Sequence, residues 1–215
     1  MSAFGPTVLG GSSANNTKAL SFRPSVNVPS SAFVFIVGIT TVPDTANISV
    51  TDSAGNVYNL IAFNAIGSTG AAIIAACALF TNPLATNQNI IVNSDVQGPF
   101  SACGVYYGGA QGSIGCAATT VQNTVTPVIS LPRVFPNDSV VALMGVHGPN
   151  TDPFTQDGNY SADIGAGFGN NVFALHGGGA TVPSDAPPAP DGMAFSYTPT
   201  LGVAREALLF MASFK

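Results

Sequence analysis

Residues 48–63 read ISVTDSAGNVYNLIAF, and the architecture of the chain follows from them. Ile48, Val50 and Asp52 share one parity, Ser53–Asn56 interrupts, and Val57–Phe63 resumes as a second extended run. Glycine and asparagine tolerate positive φ and close tight turns, and β-branched residues suit a pleated sheet. The segment predicts a β-hairpin. Asp52 and Ser53 are placed to bond the turn's own backbone through their side-chain oxygens.

The same grammar recurs along the chain. Extended runs near Thr7–Leu9, Ala19–Phe22, Phe33–Ile39, Ala71–Phe80, Asn89–Asn93 and Ser101–Tyr107 alternate with turn-prone clusters. Others follow near Val125–Leu131, Ser139–Val146, Val172–Leu175, Gly192–Tyr197 and Ala207–Ser213. A single Glu and scattered Gly and Pro leave no amphipathic 3.6-residue period. The expected fold is all-β, an antiparallel β-sandwich of jelly-roll-like character with long irregular loops.

Two segments share one build, Ser31–Ile39 and Asp138–Val146, each following a proline-containing turn; Ser101–Gly108 likewise has a counterpart in Glu206–Phe214. We therefore expect a flexible N-terminal arm over residues 1–17 and one sandwich over 18–215. Its repeated halves would span about 18–110 and 122–215, joined by a crossover in Gly109–Val121. Gly148–Phe168 and Gly177–Asp191 read as long loops ordered by function or by a partner.

Composition narrows the function classes. Charged residues are 7% of 215, against about 25% in an average soluble domain. The 46% apolar content and 14 Phe nevertheless require a packed core. Lys18, Arg23, Arg133, Arg205 and Lys215 are too few and dispersed to track a phosphate backbone, so no nucleic-acid partner is expected. No apolar run reaches the length of a membrane-spanning helix and no secretory leader is visible, so no membrane partner is expected and the reading is of a cytoplasmically synthesised protein. Cys77, Cys103 and Cys116 form no CxxC pair; two of them can pair, but the simpler reading is reduced core residues.

Chemistry-bearing constellations are sparse. His147 and His176 lack a nucleophile elbow. In DGNYSAD, Asp157, Asn159, Ser161 and Asp163 offer oxygens at alternate positions, a weak Ca²⁺ pattern without the central Gly and closing Glu of an EF-hand. With one Glu and turn-bound aspartates, paired carboxylates for glycoside hydrolysis are not expected. The five tyrosines, without any Trp, make a poor sugar platform. No cofactor and no catalytic residue are expected.

Val50–Tyr58 (VTDSAGNVY), Ala78–Pro83 (ALFTNP), the strand Asn89–Asn93 and the closing Ala207–Lys215 together resemble a β-sandwich of tailed-phage virion proteins and some secreted bacterial proteins. There a D-S-x-G-N-x-Y hairpin precedes an L-F-Y-A-type strand and a T-V-T-V strand. The likeness is weak around Gly148–Pro190. It implies a fold and a virion-associated role, and no family catalytic residue.

The resulting expectation is a non-enzymatic capsid decoration protein, homotrimeric, seated over junctions of a major capsid protein on the capsid exterior. Contacts are expected from Phe4, Pro6 and Val8 in the arm and from Phe154, Tyr160, Phe168, Pro187 and Pro188 in the loops. The alternative is a tail or fibre adsorption domain that binds host glycans.

Overall fold

The computed structural model describes residues 6–41, 47–65, 70–108, 114–184 and 192–215. Among them the regular elements are all strands: β1 (Thr7–Phe22), β2 (Phe33–Thr41), β3 (Ile48–Asp52), β4 (Asn59–Ala65), β5 (Ala71–Leu79), β6 (Ile90–Tyr107) and β7 (Ile114–Thr124). The second half continues with β8 (Ile129–Val134), β9 (Ser139–His147), β10 (Phe154–Thr155), β11 (Phe173–Thr181), β12 (Met193–Tyr197), β13 (Thr200–Leu201) and β14 (Arg205–Phe214). All ladders are antiparallel. One sheet runs β1-β6-β2-β5-β4, with β3 also on β6; a second runs β11-β9-β14-β7; β8 pairs β12 and β10 pairs β13.

Stacking of these sheets explains why β2, β5, β9 and β14 are apolar on both parities through most of their length. Phe33, Phe35, Val37 and Ile39 of β2 enter a central core with Val141, Leu143, Phe210 and Phe214, which joins the two large sheets. Val34 and Ile36, on the other face, enter a second core with Leu20, Phe22, Val50, Ile90 and Val92. There the ends of β1 and β6, with β3, fold back over their own sheet. On the far side Val140, Met144, Leu209 and Met211 meet Ile129, Leu131 and Tyr197 in a third core. A strand buried on both faces has no polar parity to display. Phe214 sits at the centre, its ring 4.6 Å from Tyr107, 5.0 Å from Phe35 and 5.2 Å from Phe33.

The two halves repeat one strand plan. The orders β1-β6-β2-β5 and β7-β14-β9-β11 match place for place, so β2 and β9, which carry the two similar segments, are equivalent. β8 follows β7 and pairs β12 as the end of β1 pairs the start of β6. Across the central core β2 meets β9, β5 meets β14, and β6 meets β11. Since β5 corresponds to β11 and β6 to β14, this reciprocal pairing is that of an approximate twofold axis, the pattern of a self-complementary interface.

Four expectations are corrected. Residues 48–63 do not form a hairpin: β3 pairs β6 and β4 pairs β5, so Ser53–Tyr58 arches from one layer to the next. Turn chemistry fixes a local reversal but not which strands the flanks will join. From Thr7 the expected arm is strand β1, paired along its length with β6 and bulged after Val8, Ala14 and Thr17. Its run of small polar residues hid it, because pairing rather than side-chain propensity holds it there. The expected crossover carries β7, an edge strand on β14. Gly177–Thr181, read as the start of a loop, completes β11 on β9.

Candidate functional site

The arch at Ser53–Tyr58 is closed on Asp52. Its Oδ1 accepts from the N–H groups of Ala54 and Asn56 at 2.9 and 3.1 Å, and its Oδ2 accepts from Asn56 Nδ2 and the Tyr58 hydroxyl, both at 3.0 Å. Gly55 supplies the positive φ of 77° that the turn requires. Asn56, buried, then ties the arch to the β5–β6 connection: its Oδ1 accepts from the N–H groups of Thr81 and Asn82, and its Nδ2 donates to the Asn82 carbonyl. The Tyr58 hydroxyl is driven far above its ordinary pKa by burial and by the Asp52 carboxylate. The motif is therefore a structural clasp.

The second half has a matching clasp. Asp157 Oδ1 accepts from Asn159 N–H, and Oδ2 accepts from the backbone N–H and hydroxyl of Thr198. Burial raises the pKa of this carboxyl, but the bonds from Asn159 and Thr198 outweigh it and hold the group below the usual range. Gln156 donates to the carbonyls of Ser161 and Gly177 and accepts from the Tyr197 hydroxyl. Asp163 Oδ1 accepts from Gly165 and Gly177 N–H, while Oδ2 lies 2.7 Å from His176 Nδ1. The long segment Gly148–Phe168 is thus laced to β11 and to the end of β12 by its own polar groups.

These contacts decide what the aspartates can do. Asp157 and Asp163 turn to different donors and are not brought together around a common point, and no group of three or more metal-ligating side chains occurs among the described residues. Among the described residues the Asp163–His176 pair is the one arrangement with catalytic form, an imidazole oriented by a carboxylate. Phe154 stacks on that ring at 3.8 Å between centroids, and among the described residues no hydroxyl or thiol is bonded to it. His147 lies against Phe173, 5.5 Å between rings. Burial pushes the Cys77 thiol up to about 11 and the Cys103 thiol up to about 12; both are free, as is the more accessible Cys116.

The expected contact residues turn inward where they are described. Pro6 lies against Gly179 of β11, and Val8 and Phe168 pack on the central core. Phe154 covers His176, and Tyr160 is buried with its hydroxyl donating to the Ser196 carbonyl. Phe4, Pro187 and Pro188 lie outside the described residues. Tyr58, Tyr107, Tyr160 and Tyr197 all spend their hydroxyls on internal acceptors, so they do not form a stacking platform.

Two surface features escaped sequence reasoning. Val121, Val125, Val128 and Val203 are each about two-fifths exposed. Gln122 brackets Val128 through both its amide atoms and Leu201 N–H donates to the Val125 carbonyl, which sets Val125, Val128 and Val203 on neighbouring connections at one end of the second sheet, while Val121, opposite Leu208, projects from the face of β7 away from Gln122. The second feature is an open groove of about 710 Å³ between the β1–β2 and β5–β6 connections, lined by Val28, Pro29, Pro83, Leu84, Gln88 and Tyr106 among others. Neither has a sequence signal, because each is assembled from separate connections. No family model, no curated protein and no solved structure matches the chain.

Proposed function

We propose that the chain is a non-enzymatic structural protein of a phage particle, a homotrimeric capsid decoration protein bound over junctions between major capsid protein subunits. The observation that carries this reading is the set of exposed valines Val125, Val128 and Val203 on the connections at one end of the second sheet, on a molecule with only 7% charged residues. Apolar side chains gathered on one surface are the usual mark of a docking surface. Its support on the body is stiff, since both large sheets are buried on two faces and the long segment Gly148–Phe168 is tied internally. A rigid body loses little conformational entropy on docking. Because decoration binds only the assembled shell, occupancy stabilises that state by mass action.

Shells lacking the protein test the proposal. Purified chain is expected to bind them saturably and raise their thermal disruption temperature. Val125→Lys combined with Val128→Lys should weaken binding at least tenfold without changing the fold, because each lysine forces a charge into the buried contact. Absence of saturable binding, with recognition of host glycans instead, would replace this reading by the adsorption-domain one.

A further inference from the structure

The groove of the first half has an unusual balance of polar atoms. Asn27 Oδ1 already accepts from Thr86 N–H at 3.1 Å, and Gln88 Oε1 accepts from Ala85 N–H at 2.7 Å. Each amide oxygen thereby holds one donor already and is turned to the backbone, which leaves the NH₂ groups of Asn27 and Gln88 as donors toward the groove. The Tyr106 hydroxyl stands beside them without a hydrogen-bond partner among the described residues, and the rest of the lining is Val28, Pro29, Pro83, Leu84 and Ala85. No charged residue lines the groove. A complementary ligand is neutral at its centre, apolar, rich in acceptors and poor in donors.

A proline-rich segment meets each of these terms. Proline carries an apolar ring and a carbonyl acceptor but no N–H, and its restricted φ lowers the entropy lost on binding. Sugars fit less well, because their hydroxyls donate as readily as they accept, whereas the groove offers the donors of Asn27, Gln88 and Tyr106. This chain itself contains such a segment, Asp185-Ala186-Pro187-Pro188-Ala189-Pro190-Asp191. The segment is flanked by two aspartates, and a cation, Arg23, is bonded through Nε to Asn89, next in the chain to the groove residue Gln88.

We infer that the groove at Val28, Leu84 and Tyr106 receives the proline-rich segment 185–191 of a second copy of this chain. The contact is heterologous, a groove on one copy and a segment on the next, so it propagates in one direction, into a ring where the rotation between copies closes and a filament where it does not. It lies on the first half, apart from the exposed valines on the second, and it requires no shell.

The experiment uses the full chain in two formats. A labelled peptide of residues 182–192 is titrated with the protein and followed by fluorescence anisotropy, and the mass of the unliganded protein is followed by light scattering over a concentration series. Saturable peptide binding is expected, together with a mass that rises above one chain with concentration and that excess peptide returns to one. Pro83→Glu, which sets a charge against the flanking aspartates, and Tyr106→Phe, which removes one donor, should each weaken peptide binding; for Tyr106→Phe about tenfold is expected. Pro187→Ala with Pro188→Ala should abolish the mass increase while thermal unfolding is unchanged. A chain that stays monomeric without binding peptide, an association that survives these variants, or a groove that takes a neutral oligosaccharide instead would each overturn the inference. Shell binding with intact affinity in the Pro187/Pro188 variant would leave the decoration role standing, so the two proposals fail separately.

Discussion

Asp157 shows how a side chain that looks like a ligand becomes a fastener. Its oxygens are filled by the N–H of Asn159 and by the N–H and hydroxyl of Thr198, and these bonds keep the carboxyl ionised to lower pH than in the unfolded chain. Since the folded-state pKa lies below the unfolded value of about 3.9, the unfolded state binds the extra proton as pH falls. The stability Asp157 contributes is therefore complete above that value and disappears as pH drops through the folded pKa. Asp157→Asn should cost about 1–2 kcal/mol at neutral pH, since a charge-assisted acceptor is lost. Chemical denaturation between pH 7 and pH 2 checks it: the wild-type and variant curves should converge at the acid end, and parallel curves would contradict the assignment. Asp52 and Asn56 perform the same fastening in the first half, where the D-S-x-G-N-x-Y spelling was visible but its purpose was not.

At the scale of the element, β11 is the strand that sequence patterning describes least well. Its end, Gly177–Gly178–Gly179, looks like a break, yet it pairs Leu143, Ala142 and Val141 of β9 in unbroken register. The glycines serve close approach. A Cβ on Gly178 would meet the Gln156 amide, lie 2.9 Å from Tyr160 Cβ and 3.1 Å from the Ser161 carbonyl oxygen; one on Gly179 would lie 2.5 Å from Pro6 Cγ and from the Tyr107 hydroxyl. The Gly148–Phe168 segment can lie against the strand only because nothing projects there. Gly178→Ala should lower stability by about 2–3 kcal/mol through overpacking, seen as a drop in Tm, since Gln156 is held by its own bonds and cannot retreat. An unchanged melting curve would mean that the segment is not seated on β11.

The whole molecule is two equivalent strand plans joined face to face, and its central core is the joint. Polar cross-ties reinforce it: Asn170 Nδ2 donates to the Ala14 carbonyl at 3.0 Å, and Ser13 Oγ donates to the Gly169 carbonyl at 2.6 Å. Cys77 and Cys103 lie in that core, whereas Cys116 lies on the edge strand β7. Thiol labelling therefore reads the joint directly. In native protein Cys116 should alkylate at least about a hundredfold faster than Cys77 or Cys103, which are both buried and kept as thiols at neutral pH. Equal rates would show that the halves part readily.

Alternation, turn residues and the lack of helical periodicity were enough to establish an antiparallel β-sandwich, because those signals are local and a strand repeats every two residues. The similar segments 31–39 and 138–146 were legible for the same reason. Partner choice was not: whether Ser53–Tyr58 closes a hairpin or arches between layers depends on β5 and β6, strands that follow later in the chain. Nor could composition place the small polar residues of β1 in a sheet, the glycines of β11 beneath a packed segment, or Val125 and Val203 on neighbouring connections. Those outcomes rest on contacts between residues distant in sequence, and folding in three dimensions is what brings them within reach.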